Sequence, residues 1–98
     1  MNRNINELVE YSSKGILSKS IHKDNKSDVT LFCMSKGTEL LEHTSAKSGF
    51  VYVLEGNGIF NLEGKDIKMK KGVLIFMNKN AKHSLRADKD LSFLLTLI

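Results

Sequence analysis

From Gly15 onward, apolar residues arrive in short runs of Ile, Val, Leu, Phe and Thr, separated by clusters of Gly, Asn, Asp and Lys. Runs of that length between turn-forming residues predict β-strands rather than helices. We place them at 15–22, 28–35, 39–44, 50–55, 58–63, 65–69, 73–77, 83–86 and 91–97. Gly56-Asn57-Gly58 and Glu63-Gly64-Lys65-Asp66 supply residues that tolerate positive φ, so FVYVLE, GIFNLE and DIKMK read as consecutive hairpin-connected strands. The last run, LSFLLTLI, is apolar almost throughout and suits a strand buried on both faces. Before Gly15 the rhythm is missing. There Asn4 is placed to cap a short helix, with Glu7 three residues on and Leu8 and Val9 following. The pattern predicts an all-β fold, a small barrel or sandwich over 15–98 with an N-terminal helix or extension over 1–14.

A length of 98 residues makes this one domain with one continuous core. No apolar run approaches the roughly 20 residues that span a bilayer, and MNRNINELVEY lacks the apolar stretch of a secretory signal. A soluble, cytoplasmic protein with no membrane contact is expected. The single cysteine, Cys33, lies inside the apolar run VTLFCM and reads as a small buried hydrophobe. A net charge of +4 favours acidic partners in general. However, Lys65, Lys68, Lys70 and Lys71 around one hairpin, and Lys79 and Lys82 in a loop, lack the interleaved aromatics of single-strand binders. No helix-turn-helix or zinc-finger spacing is present, so nucleic acid is not the expected partner. The apolar terminal run, if left at a sheet edge, would invite association, which predicts a homodimer.

Two spacings carry chemistry. Gly37, His43, Ser45, Gly49 and Gly56 form one frame, and Gly72, Asn78, Asn80, His83 and Ala87 a second. In these gap lengths the chain resembles the two motifs of the cupin superfamily. The first motif runs Gly, His, His, Glu, Gly, of which Gly37, His43 and Gly56 match; the second runs Gly, Pro, Gly, His, Asn, of which Gly72 and His83 match. Phrases such as VTLF, EHTS, VLEG, HSLRA and LLTLI are similar to an uncharacterised group of short, single-domain, conserved-barrel cupins. The resemblance implies a jelly-roll-like β-barrel. It also implies that His43 and His83 occupy two of the four places at which cupins hold a divalent metal inside the barrel.

Ser45 and Gly49 stand where the other two ligands would be. Serine is a weak neutral ligand and glycine offers none, while tight sites use three or four His, Cys or carboxylate donors. Two histidines alone imply at most a weakly bound divalent ion. Period-two alternation puts residues 43 and 45 on one face, so His43, Ser45 and His83 are the expected lining of a pocket. That pocket would take a small polar or anionic molecule amid apolar walls, the anion through a protonated imidazole. The alternative is a metal-dependent enzyme, an isomerase or dioxygenase, with His43 and His83 as ligands. Glu39 and Glu42 are not placed to complete a shell, His22 could reach it only through tertiary folding, and Arg86 should face solvent or the rim. Of Phe50 and Tyr52, one is expected to line the cavity.

Overall fold

A computed structural model describes residues 2–98. A single 3-10 turn, Ile5–Leu8, precedes nine strands among the described residues: β1 Ile16–Lys23, β2 Asp28–Met34, β3 Glu39–His43, β4 Gly49–Glu55, β5 Asn57–Leu62, β6 Lys65–Lys70, β7 Leu74–Met77, β8 His83–Ala87 and β9 Leu91–Leu97. They form two antiparallel sheets, ordered β1-β2-β9-β4-β7 and β3-β8-β5-β6, which pack into the jelly-roll-like barrel. The nine expected runs all become strands, with ends shifted by a residue or so. The β5–β6 hairpin closes on Glu63 at φ 49° and Gly64 at φ 86°, with Leu62 paired to Lys65. Two central residues at positive φ give the turn whose twist matches the flanking strands.

Alternation along each strand builds the core. Met34, Val51, Val53, Ile75, Leu91 and Phe93 face inward from the first sheet and meet Phe60, Met69, Leu85 and Ala87 from the second. Each fully buried side chain of this size contributes about 1.5–3 kcal/mol. The terminal strand β9 lies in the middle of its sheet, between β2 and β4, and Leu91, Ser92 and Phe93 are buried. Its apolar composition therefore serves burial within the chain and leaves no apolar edge there.

The outer face of the first sheet is half covered by the chain's own beginning. Leu31 and Cys33 alternate with inward-facing Phe32 and Met34, yet both are fully buried. The cover is the segment before β1. Tyr11 donates its hydroxyl to Glu55 at 2.8 Å, Lys19 donates to the Leu8 carbonyl at 2.8 Å, and Lys19 also pairs with Glu10. Burial, reinforced by the Glu55 carboxylate, pushes the Tyr11 phenol above its ordinary value and keeps it a donor. Burial likewise pushes the Cys33 thiol up, as fits an inert core cysteine. At the turn, the Asn4 side chain accepts from the Asn6 amide at 3.1 Å, so the expected cap forms, on one 3-10 turn rather than on a longer helix.

Candidate functional site

The site forms where β3 crosses β8. Leu40 pairs with Leu85 and His43 with His83, so three steps along β3 match two along β8. The extra residue is a β-bulge, and it decides which way His43 points. Leu40 and His43 differ by an odd number and would occupy opposite faces of a regular strand. Because of the bulge, both line the same interior cavity. The two imidazoles meet edge to face, with ring centroids 4.1 Å apart. Phe60, on β5, stacks parallel to the His83 ring with centroids 5.8 Å apart. His83 is only 5% exposed, whereas His43 is solvent-exposed and stands at the mouth.

Backbone carbonyls fix the protonation of both rings. His43 Nδ1 lies 2.7 Å from the Leu41 carbonyl oxygen, and His83 Nδ1 lies 3.0 Å from that of Ala81. A carbonyl only accepts, so each Nδ1 carries the hydrogen, and in the neutral ring each Nε2 keeps its lone pair. Burial pushes the His83 pKa below its ordinary value; the Ala81 carbonyl opposes this and His43 adds to it. His83 is therefore neutral at neutral pH. The arrangement presents two hydrogen-bond acceptors, one deep and one at the surface.

Around the pair the cavity is apolar, walled by Phe32, Val51, Met77, Leu85, Phe93 and Leu95 among others, and its volume is about 40 Å³. A water needs about 10–15 Å³ on this measure, so the enclosed space admits a small head group and no more. The bulk of any larger ligand would have to sit outside, against His43. The second sheet's outer face bears a separate, more open groove of about 310 Å³ that includes Glu39, Glu42, Asp66 and Arg86.

The residues do not fit a complete metal shell. No group of three or more His, Cys, Asp or Glu able to hold an ion occurs among the described residues, so the pair is an incomplete metal-coordinating site. The position expected to carry a glutamate is also closed. A side chain at Gly49 would meet Leu97 Cδ2 at 2.9 Å, the Thr96 carbonyl oxygen at 3.0 Å and Met77 Cε at 3.2 Å. Apolar packing has taken the space a ligand would use.

Ser45 is placed differently from expectation. Strand β3 ends at His43, so period-two alternation does not extend to 45. The Ser45 hydroxyl accepts from the Lys47 amide at 3.2 Å and its carbonyl accepts from the Asn80 amide at 2.7 Å. It shapes the loop beside the mouth and is not among the residues that line the cavity. Phe50 and Tyr52 also correct the expectation. Residues two apart share a strand face, and both point outward while Val51 and Val53 point in. Arg86 is exposed and bonds Asp88 at 3.1 Å, as anticipated, and His22 pairs with Asp24 at 2.8 Å far from the site, at the β1–β2 turn.

Sequence reasoning missed Phe60 and Leu40. Phe60 was accessible in principle as an inward position of GIFNLE, but its stacking on His83 depends on β5 pairing with β8, which puts Leu62 opposite His83. Asn80 holds φ 65° at the place where the second motif has glycine. Asparagine is among the few residues that adopt this conformation readily, so the turn survives the replacement.

Residues 30–98 match the family model described as the cupin domain. No curated protein matches the chain. Among solved structures, a cupin 2 conserved barrel domain protein from Leptotrichia buccalis is similar at 30% identity and a TM-score of 0.92, over 98% of this chain and 47% of that one. An RmlC-like cupin protein from Desulfovibrio desulfuricans is similar at 24% identity and 0.88, over 99% and 94% of the two chains. A conserved protein of unknown function from Streptococcus pyogenes reaches 0.90 at 21% identity, over 100% and 86%.

Proposed function

The chain belongs to the cupin domain family, and on that premise we propose that it binds a small polar molecule at the His43–His83 pair without a tightly held metal. The observation that carries this reading is the clamping of both Nδ1 atoms by carbonyls, which leaves two Nε2 acceptors beside an apolar cavity. Such a pair selects a ligand that donates hydrogen bonds, a hydroxyl or an amine, with an apolar part to set against the walls. An anion requires an imidazolium. The depressed His83 pKa counts against that at the deep end of the cavity. As further parts of the proposal, the protein works as a homodimer in the cytoplasm. A lone, buried, unpaired cysteine suits a reducing compartment.

The test is thermal shift against alcohols and sugars, amines, carboxylates and divalent metal salts, since a ligand bound only by the native state raises the melting temperature. A donor-bearing neutral compound should raise it in the wild type and not in His43→Ala, whose exposed side chain can be removed without opening the core. No shift with any class, or a shift that survives His43→Ala, would reject the reading.

A second reading is a metal-dependent enzyme of isomerase or dioxygenase type. It is favoured by the same clamps, because metal-binding histidines typically donate their other ring nitrogen to a carbonyl or carboxylate. Elemental analysis of untagged, dialysed protein separates the two. Near-stoichiometric metal that disappears in His43→Ala would install the second reading and displace the first.

A further inference from the structure

One cross-strand pair in the wall of the cavity has a side chain on one side only. Met77, the last residue of β7, stands opposite Gly49, the first residue of β4. Met77 is 2% exposed and lines the cavity beside the histidines. Its Cε lies 3.2 Å from the position that a Cβ on Gly49 would take, so the methionine reaches across and fills its partner's place as well as its own. Two opposed side chains normally share that space.

The other walls are held in place by their neighbours. Phe32 and Phe93 stack with ring centroids 5.3 Å apart and 14° between planes, and Phe60 lies parallel to the His83 ring. Val51 is stiff at χ1 and sits between Ile75 and Leu95 in the sheet, so shortening it would leave both neighbours to close over the gap. Among the described residues that line the cavity, Met77 is the unbranched aliphatic one. Such a side chain fills irregular space and adapts to what lies against it.

We propose that Met77 sets the size of what the His43–His83 pair accepts, namely a hydroxyl or amine carried on a short aliphatic arm of about three carbons, as a small molecule or as the end of a larger one. This rests on the donor-ligand reading above and names the ligand's buried part. The length follows from the volume. At about 10–15 Å³ for each water-sized group, a cavity of about 40 Å³ holds about three of them. The donor stays on the Nε2 atoms, and the apolar walls take carbons rather than further polar groups.

Met77→Ala removes Cγ, Sδ and Cε. It leaves an alanine opposite a glycine, with no side chain beyond a single Cβ across that pair. The structure around such a deletion relaxes only in part, so room for about three more non-hydrogen atoms opens where the thioether was. The permitted arm should lengthen by the same amount. Each added methylene that is buried strengthens binding about fourfold, and one that finds no room adds nothing.

The test is an NMR titration of the full chain with the unbranched alcohols from methanol to n-hexanol and the matching amines. In the wild type, affinity should climb about fourfold per methylene as far as n-propanol and then level; in Met77→Ala the climb should continue to about n-hexanol. Met77→Leu, which conserves the volume, should level with the wild type. In the wild type alone, the Met77 methyl signal should shift on binding while those of Met34 and Met69, buried but outside the cavity, stay in place, a readout that needs no variant to fold. If no alcohol or amine moves the His43 and His83 ring signals of the wild type, the donor-ligand reading itself fails. Ligands that do bind at the rings, but with a still Met77 methyl or with the same limiting length in Met77→Ala, would overturn the role of Met77 alone.

Discussion

Replacing Gly56 with alanine tests whether the close approach of two chain segments, rather than glycine's backbone freedom, holds the barrel together at that point. Gly56 joins β4 to β5 at φ +100°, beyond the left-handed well that side-chain-bearing residues use, and this alone costs about 1–3 kcal/mol. The added Cβ would overlap the Asp90 carbonyl oxygen and sit 2.6 Å from Leu91 Cα and 2.9 Å from the Asp90 carbonyl carbon. Carbon atoms rest at about 3.5–4.0 Å, so the two segments must part by roughly 1 Å, and no flexible side chain is available to move instead. The shift lands on Leu91, which is fully buried and whose packing contributes about 1.5–3 kcal/mol. The sum is about 3–6 kcal/mol, a large share of the roughly 5–15 kcal/mol that holds such a domain folded. Gly37→Ala is the control. It has φ +87° but no atom within 4 Å of its built Cβ, so it should lose only the backbone part, about 1–2 kcal/mol. Urea unfolding followed by circular dichroism reads both variants, compared at equal m values. Equal losses within about 1 kcal/mol would refute the steric account.

Three further outcomes follow from the same geometry. The folded state keeps His83 neutral, so the unfolded chain binds more protons below its ordinary pKa of about 6.5. Stability should therefore be full above about pH 6.5 and fall as the pH drops from there through the lowered folded value; a urea midpoint that is flat over this window, or equally sloped in His83→Gln, contradicts this. Cys33 should resist a thiol reagent in the native protein and react faster in Tyr11→Ala, which loosens the covering segment; unchanged kinetics would show that other atoms shield it. Gly49→Glu should not recruit a metal and should cost about 1–3 kcal/mol through overpacking against Leu97 and Met77; a stable variant that takes up a divalent ion would disprove the closed-space argument.

The strands were readable because each is a short apolar run bounded by residues that turn, and because Gly56 and Glu63-Gly64 sit at the positive φ values the reading allowed for. That His43 and His83 come together was implied by the resemblance of the motif spacings to those of cupins. The geometry of the pair was not. Alternation counted along the chain puts Leu40 and His43 on opposite faces, and only the bulge, a product of pairing with β8, brings both inside. Ser45 failed for the related reason that a strand's end is set by its partner, and β8 begins at His83, opposite His43. The apolar character of LSFLLTLI correctly signalled burial, but sheet order is a long-range property. The exposed apolar edge lies instead on LIFM, whose four residues hold half their apolar side chains outward. Phe50 and Tyr52, two apart, had to share a face, and that face is the bare one.

The N-terminal segment keeps one margin of the first sheet from meeting other chains. A sheet with two sticky outer regions, one at each margin, can hand one region to each of two neighbours and grow into an open filament. Here the margin over β1 and β2 is occupied by residues that precede Gly15, tied down through Lys19 and Tyr11, so that Leu31 and Cys33 meet no neighbour. Losing that cover would bare Leu31 and Cys33 to solvent, a change expected to show as self-association before it shows at the histidines.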